Sequence, residues 1–297
     1  MEGEEEFAAA AEERKRLSSI EEHADAAPHI HNHSTRGDAQ PSPHITMLPE
    51  EAGARCLDGS NYGFFFTPSL TGSKKYTVHL EGGGWCYNEA DCFDRSQGHL
   101  GSSTQARRHH TAWARRTKDC WCKNPRLTGH LSTDCNCLDL IYCDGASFSG
   151  HKERKTPVPG QPGRFLHFRG RRNIDATIEY ALSHLGLDAA TEVVLTGNSA
   201  GGAAILFHAD RIANAIRQRA TAAHIMVLST AGWFLDHKNY LNSSTTFAAR
   251  MKYVYDMQGV GGAASLPPPC LASYPKTPHY CFLAQHMSGF VQVLYIE

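Results

Sequence analysis

Apolar positions recur along this chain with two periods, one of a strand and one of a helix, and the two take turns. Short β-rich runs at Tyr76–Leu80, Leu138–Cys143, Glu192–Thr196, His224–Leu228 and Phe290–Ile296 read as strands. Between them, Ile174, Ile178, Ala181, Leu182 and Leu185 share one face of a helix that Gly186 stops. Ile205, Ile212 and Ile216 share a face of a second helix. Strands alternating with amphipathic helices predict an α/β fold, a mostly parallel sheet flanked by helices. Residues 1–50 lack the pattern: after a short polar helix they become rich in His, Ser and Pro, with almost nothing apolar to bury. The expected organisation is a disordered polar tail over 1–50 and one domain over 51–297.

Charge narrows the choices. Twenty-nine Lys and Arg against 30 Asp and Glu give a net charge of −1, which offers no overall basic field to nucleic acid or an anionic membrane. No run of about 18 apolar residues is present to span a bilayer. The ten cysteines (56, 86, 92, 120, 122, 135, 137, 143, 270 and 281) are many for a reduced compartment, and their even number suits disulfides. Against export, Met1–Glu6 opens acidic and shows neither part of a signal peptide. The alternating His29, His31 and His33 read as a solvated run rather than a metal site, and no cofactor is implied.

Chemistry enters at Gly197-Asn198-Ser199-Ala200-Gly201-Gly202, between the strand 192–196 and the helix that follows. This is a G-x-S-x-G nucleophile elbow in its strand–turn–helix setting. The sharp turn lifts the Ser199 hydroxyl clear of the sheet, and the helix N-terminus offers free N–H groups to a developing oxyanion. A glycine loop, Glu81-Gly82-Gly83-Gly84-Trp85, follows an earlier strand and would add Gly83 or Gly84 to Ala200 as donors. Two motifs in this chain order favour acyl transfer over a simple packing turn. In such a fold the acid and then the histidine follow the serine. Asp236 sits after the strand 224–228 as an acid candidate; His237, His279 and His286 lie beyond it, and His208 lies too far along the nucleophile helix. Each reads first as a structural residue, and the triad acid and base are expected to be absent.

These motifs, with Cys56-Leu-Asp-Gly59, Tyr142-Cys-Asp-Gly-Ala-Ser-Phe148, Phe168-Arg-Gly170, Leu206-Phe-His208-x-Asp210, Ala231-Gly-Trp-Phe-Leu-Asp236 and Cys281-Phe282, resemble the pectin acetylesterase family of α/β hydrolases, which includes the Notum carboxylesterases. The similarity runs from Cys56 to Glu297, and the run at Tyr142 resembles the plant branch more. It implies an α/β-hydrolase that lacks its last strand and helix. It also implies Ser199 as nucleophile, with Gly83, Gly84 and Ala200 as oxyanion donors. The expected function is a serine carboxylesterase removing O-acetyl groups from acetylated cell-wall polysaccharide, as a secreted monomer. The alternatives are a Notum-like deacylase of a lipidated protein, with Phe64–Phe66, Trp233 and Phe234 lining an acyl pocket, and an inactive or fragmentary relative. The resemblance pairs Cys86 with Cys92, Cys270 with Cys281 and Cys56 with Cys143. Cys120, Cys122, Cys135 and Cys137 are left for two disulfides or, second, a four-thiolate zinc site. Asn242 and Asn32 open glycosylation sequons.

Overall fold

The computed structural model describes residues 44–106, 134–238, 245–261, 265–293 and 295–296. The His29–His33 run, Cys120, Cys122 and both sequon asparagines lie outside them. In chain order the strands are β1 (His44–Met47), β2 (Gly63–Thr67), β3 (Lys75–Leu80), β4 (Asn136–Leu140), β5 (Thr156–Pro157), β6 (Phe165–Leu166), β7 (Glu192–Asn198), β8 (His224–Thr230) and β9 (Tyr295–Ile296). All but the β5–β6 hairpin form one sheet in the order β1-β2-β4-β3-β7-β8-β9. From β4 to β9 every pairing is parallel, while β1 and β2 form an antiparallel edge. β1 thus enters the sheet from within the stretch that composition marks as tail.

Among the described residues the α-helices of more than one turn are α1 (Glu89–Ser96), α2 (Gly170–His184), α3 (Ala200–Arg217), α4 (Phe247–Met257) and α5 (Pro268–Ser273). β7 lies at the middle of the parallel run and is buried from Val193 to Gly197, as a strand covered on both faces must be. α3 crosses behind it and is buried all round from Ala200 to Ala209; only its second half, at Ile212, Ala213 and Ile216, reduces to one stripe. α2 buries Ile174, Ile178, Ala181 and Leu182 and ends where Gly186 turns left-handed at φ 75°, as the pattern predicts.

Two strands differ from the sequence reading. β4 stops at Leu140 rather than Cys143, because the Tyr142 N–H bonds the Glu81 carboxylate instead of a neighbouring strand (3.2 Å). β9 is only Tyr295–Ile296, and Ser288–Phe290 is a 3₁₀ turn. The cause is Asp210 on α3, whose carboxylate accepts the N–H groups of Gln292 and Val293 (3.0 and 2.8 Å) and so holds that segment out of the ladder.

Three cysteine pairs follow the expected pattern: Cys56–Cys143, Cys86–Cys92 and Cys270–Cys281. Cys135 and Cys137 are each in disulfides too, which removes them from any zinc site. Cys56–Cys143 closes a separation of 87 residues, worth roughly 4–5 kcal/mol in loop-closure entropy, against about 3 for the 11-residue separation of Cys270–Cys281. Replacing each pair by alanines should therefore cost more stability at 56/143 than at 270/281 in urea melts. Equal losses would refute the entropic account.

The His208 ring is fully buried on α3, with Nε2 2.9 Å from the Ser149 hydroxyl, and desolvation drives its pKa from 6.5 down to about 3. Well above pH 6.5 the ring is neutral whether folded or unfolded and contributes nothing to pH dependence. Below that, only the unfolded chain takes up the proton, so stability falls by about 1.4 kcal/mol per pH unit until the folded ring titrates. Between pH 7 and pH 5 the parent should lose about 2 kcal/mol more than His208→Gln by urea denaturation. Identical losses would mean that the ring is not buried in its neutral form.

Candidate active site

Ser199 joins β7 to α3 with φ 55° and ψ −123°, a conformation outside the three regions open to L-residues and costing about 1–3 kcal/mol. Neighbours on both sides hold it there. Its N–H donates to Thr230 O at the end of β8 (2.9 Å), and its carbonyl accepts the Ala203 N–H (3.0 Å). The turn also needs α3 to start almost in contact with β3. A Cβ on Gly201 would lie 2.0 Å from Leu80 O, so no other residue fits there. Ser199 is half-buried, and among the described residues no group hydrogen-bonds its hydroxyl.

The glycine loop lies directly against this turn. A Cβ on Gly82 would fall 2.3 Å from Asn198 O and 3.0 Å from Ser199 Cβ. The Ala200 N–H, first in α3, has no acceptor among the described residues, nor do those of Gly83 and Gly84. Ser199, Ala200, Gly83 and Gly84, picked out by two separate motifs, thus belong to one stretch of the C-terminal sheet edge.

What the motifs do not reveal is how the glycine loop is held. The Tyr142 hydroxyl, fully buried, donates to Gly84 O (2.7 Å) and accepts the Ser147 N–H (2.8 Å). Burial, reinforced by the nearby Asp144 charge, pushes its pKa far above the ordinary phenol value. Trp85 Nε1 donates to Ser147 Oγ (2.9 Å), and the Cys86 N–H to Gly145 O (3.2 Å). The loop over 145–150 that receives these bonds is itself strained, with Ser147 and Phe148 at φ 49° and 55°. Asp144, fully buried, braces it by accepting the Phe148 N–H (3.1 Å). Desolvation raises the Asp144 pKa to about 6, with its backbone bonds and Arg95 pulling the other way. Arg95 is buried, lies over the Tyr142 ring (5.1 Å to the centroid) and donates from Nε to Leu100 O (3.0 Å). The run beginning at Tyr142 marked this segment, but nothing in its composition tells which backbone groups it grips.

The remaining candidates lie apart from this arrangement. Asp236 is exposed, and its Oδ1 accepts the Ala248 N–H in the first turn of α4 (2.9 Å), while its own N–H donates to Gln285 (3.0 Å). His208 bonds Ser149, His237 contacts Lys238 O (2.6 Å), and His286 contacts Tyr274 and Gln285 (3.3 and 3.0 Å). His279 is held below its ordinary pKa by desolvation and the Lys252 charge, against the pull of Asp256 and Asp236. Phe64 and Phe65 are core residues of β2, with Phe64 edge-on to Tyr180 (5.8 Å), while Phe66 is part-buried. Phe234 instead packs on Trp85 (4.8 Å) and Phe247 (5.6 Å), while Trp233 is exposed. Among the described residues no cluster of His, Cys, Asp or Glu is arranged to hold a metal ion, and no helix is long and apolar enough to cross a membrane.

Known proteins share this framework. The family model for pectinacetylesterase matches residues 38–295. Pectin acetylesterase 5 of Arabidopsis thaliana is 35% identical over 244 residues, covering 81% of this chain and 52% of its own length. The palmitoleoyl-protein carboxylesterase NOTUM of Schmidtea mediterranea is 28% identical over 213 residues, 68% of this chain and 37% of its own. The chain thus spans about half the length of the plant relatives it matches. A crystal structure of the Wnt deacylase Notum from Drosophila superposes with a TM-score of 0.69 at 22% identity, covering 86% of this chain and 70% of that one, which places the sheet and helices in the α/β-hydrolase fold. A pectinacetylesterase model matching most of the chain, and plant relatives a third identical to it, establish that this chain belongs to the pectin acetylesterase family, a family of carboxylester hydrolases.

Proposed function

We propose that this protein is a serine carboxylesterase that removes O-acetyl groups from an acetylated cell-wall polysaccharide such as pectin. The observation that carries the proposal is the strained Ser199 turn beside three backbone N–H groups, at Gly83, Gly84 and Ala200, that have no acceptor among the described residues. Ser199 attacks the acetyl carbonyl, the charge that develops on its oxygen is taken by those donors, and the sugar hydroxyl leaves. Water then attacks the acyl-serine to release acetate. The donors work because they are fixed before charge develops, and here Tyr142 fixes the Gly84 carbonyl. A general base must accept the serine proton. Among the described residues His208, His237 and His286 are engaged elsewhere, so the proposal assigns the base to none of them. Asp236 serves as an anchor for α4. Trp85 packs edge-to-face on Phe234 and Phe247, which stack on each other, and this mutual packing suits a short acyl group better than a lipid.

Acetate release from acetylated pectin by the purified chain tests the reading, with 4-nitrophenyl esters of two and sixteen carbons for acyl preference. Ser199→Ala should reduce acetate release at least about 10³-fold. A Ser199→Ala protein that keeps its parent's rate, or a preference for the long ester, would overturn the assignment. Tyr142→Phe removes the bond that orients Gly84 without removing a donor. It should lower kcat about 10- to 100-fold, less than or equal to the loss of one oxyanion donor, with KM within about twofold. A matching loss in KM would place Tyr142 in substrate binding instead.

A further inference from the structure

The near-zero net charge of the chain conceals a local excess. Residues 151–172 carry seven Lys and Arg (152, 154, 155, 164, 169, 171 and 172) against the single Glu153, in a chain whose total is −1. This segment includes the β5–β6 hairpin, whose tip is closed by Val158 N–H to Arg164 O and Gln161 N–H to Val158 O (both 3.1 Å). Arg154, Lys155 and Arg164 are exposed there, with the Lys155 ammonium 3.7 Å from the centre of the half-exposed Phe165 ring.

The hairpin is anchored to the segment that follows the glycine loop. Val158, Leu166 and Phe168 pack with Cys86 and Cys92 in a small apolar cluster of their own. Gln258 tightens the joint: its side-chain amide donates to Gly145 O (3.1 Å) and to Cys86 Sγ (3.5 Å), and its backbone carbonyl accepts the His151 N–H (2.9 Å). Cys86 is three residues past Gly83, a chain reach of about 10 Å at most. The hairpin is therefore tied to the segment that continues the glycine loop, by apolar packing around a disulfide and by buried hydrogen bonds rather than by a free linker.

We propose that this basic hairpin binds the free carboxylates of a uronic-acid polysaccharide and holds the polymer across the ester site. This rests on the esterase reading above. Guanidinium groups match carboxylates in geometry as well as charge, and a row of carboxylates along one polymer can engage several cations of the hairpin at once. Such binding explains how a site that grips only an acetyl group finds its substrate: the neutral ester carries little recognition, and the charged sugars around it carry much. Phosphate polymers would meet the same charges but lack a reason to lie beside an ester site.

The test is binding of de-esterified polygalacturonate, fully methyl-esterified galacturonan and a single-stranded oligonucleotide to the full chain at two salt concentrations. The parent should bind polygalacturonate best, and more weakly at higher salt. Arg154→Glu/Lys155→Glu/Arg164→Glu alters only exposed side chains and should weaken that binding at least about tenfold, while Arg154→Lys/Arg164→Lys, which keeps the charge but loses the guanidinium fork, should weaken it less. If the reversal variant melts below its parent, the corresponding triple Gln variant is read in its place. Undiminished binding by the folded variant, equal binding of the methyl-esterified polymer, or tighter binding of the oligonucleotide would each overturn the proposal. Ser199→Ala should bind as its parent does, so failure of the esterase reading would show in acetate release and leave the binding result standing on its own.

Discussion

The close approach of α3 to β3 is the constraint on which the rest of this structure depends. At Gly201 the helix backbone comes so near Leu80 O that a methyl group would lie 2.0 Å from it. That contact brings the start of α3 directly to the end of β7, and the chain can make the junction only by forcing Ser199 to φ 55°. The strain is then shared between two neighbouring strands. β8 supplies the acceptor for the Ser199 N–H, and the loop after β3 supplies Gly82, whose missing side chain lets it lie against Asn198. The Ser199 hydroxyl at the turn and the Ala200 N–H without an acceptor among the described residues are thus consequences of backbone packing.

A second layer keeps the glycine loop from relaxing. Glycines give that loop the room it needs but also the most conformational entropy to lose, so something must hold it. Tyr142, Ser147 and Trp85 supply three bonds from fully or nearly buried groups, where an unmet partner would be costly. The segment that supplies them is strained in turn at Ser147 and Phe148 and is braced by Asp144 and, through Ser149, by His208. Burial moves the two titrating braces in opposite senses: Asp144 up to about 6 and His208 down to about 3. Both shifts are toward the neutral form, as burial in an apolar interior dictates, yet Asp144 still carries its charge at neutral pH while His208 does not.

The parallel strands, α2 with its glycine stop, and the elbow were legible in the sequence, because each is written as a local period or a local motif. What was not legible depends on partners far apart in the chain. Nothing near Leu140 tells that Glu81 will take the Tyr142 N–H and end the strand, and nothing near Gln292 tells that Asp210 will hold the segment from α3. The antiparallel edge of β1 and β2 went unread for a related reason: its three consecutive phenylalanines break the alternation that marks a half-buried strand. The disulfide pairs came from family resemblance, since spacing alone permits many connectivities.

Charge was the opposite case, visible in the sequence but lost in the sum. A total of −1 argues against a polyanion partner only if the charges are spread evenly, and here a 22-residue stretch holds seven cations to one anion. Electrostatic attraction decays over about 8–10 Å in physiological salt, so a ligand at the hairpin responds to that stretch and hardly at all to the acidic residues elsewhere. The fold turns this local excess into a directed one. The apolar cluster of Val158, Leu166 and Phe168 on Cys86–Cys92 fixes the hairpin to the segment that also carries Gly83 and Gly84. A site whose reacting group is small and neutral gains its substrate selection from such a neighbour, and the disulfide that staples the glycine loop is also the base on which the neighbour stands.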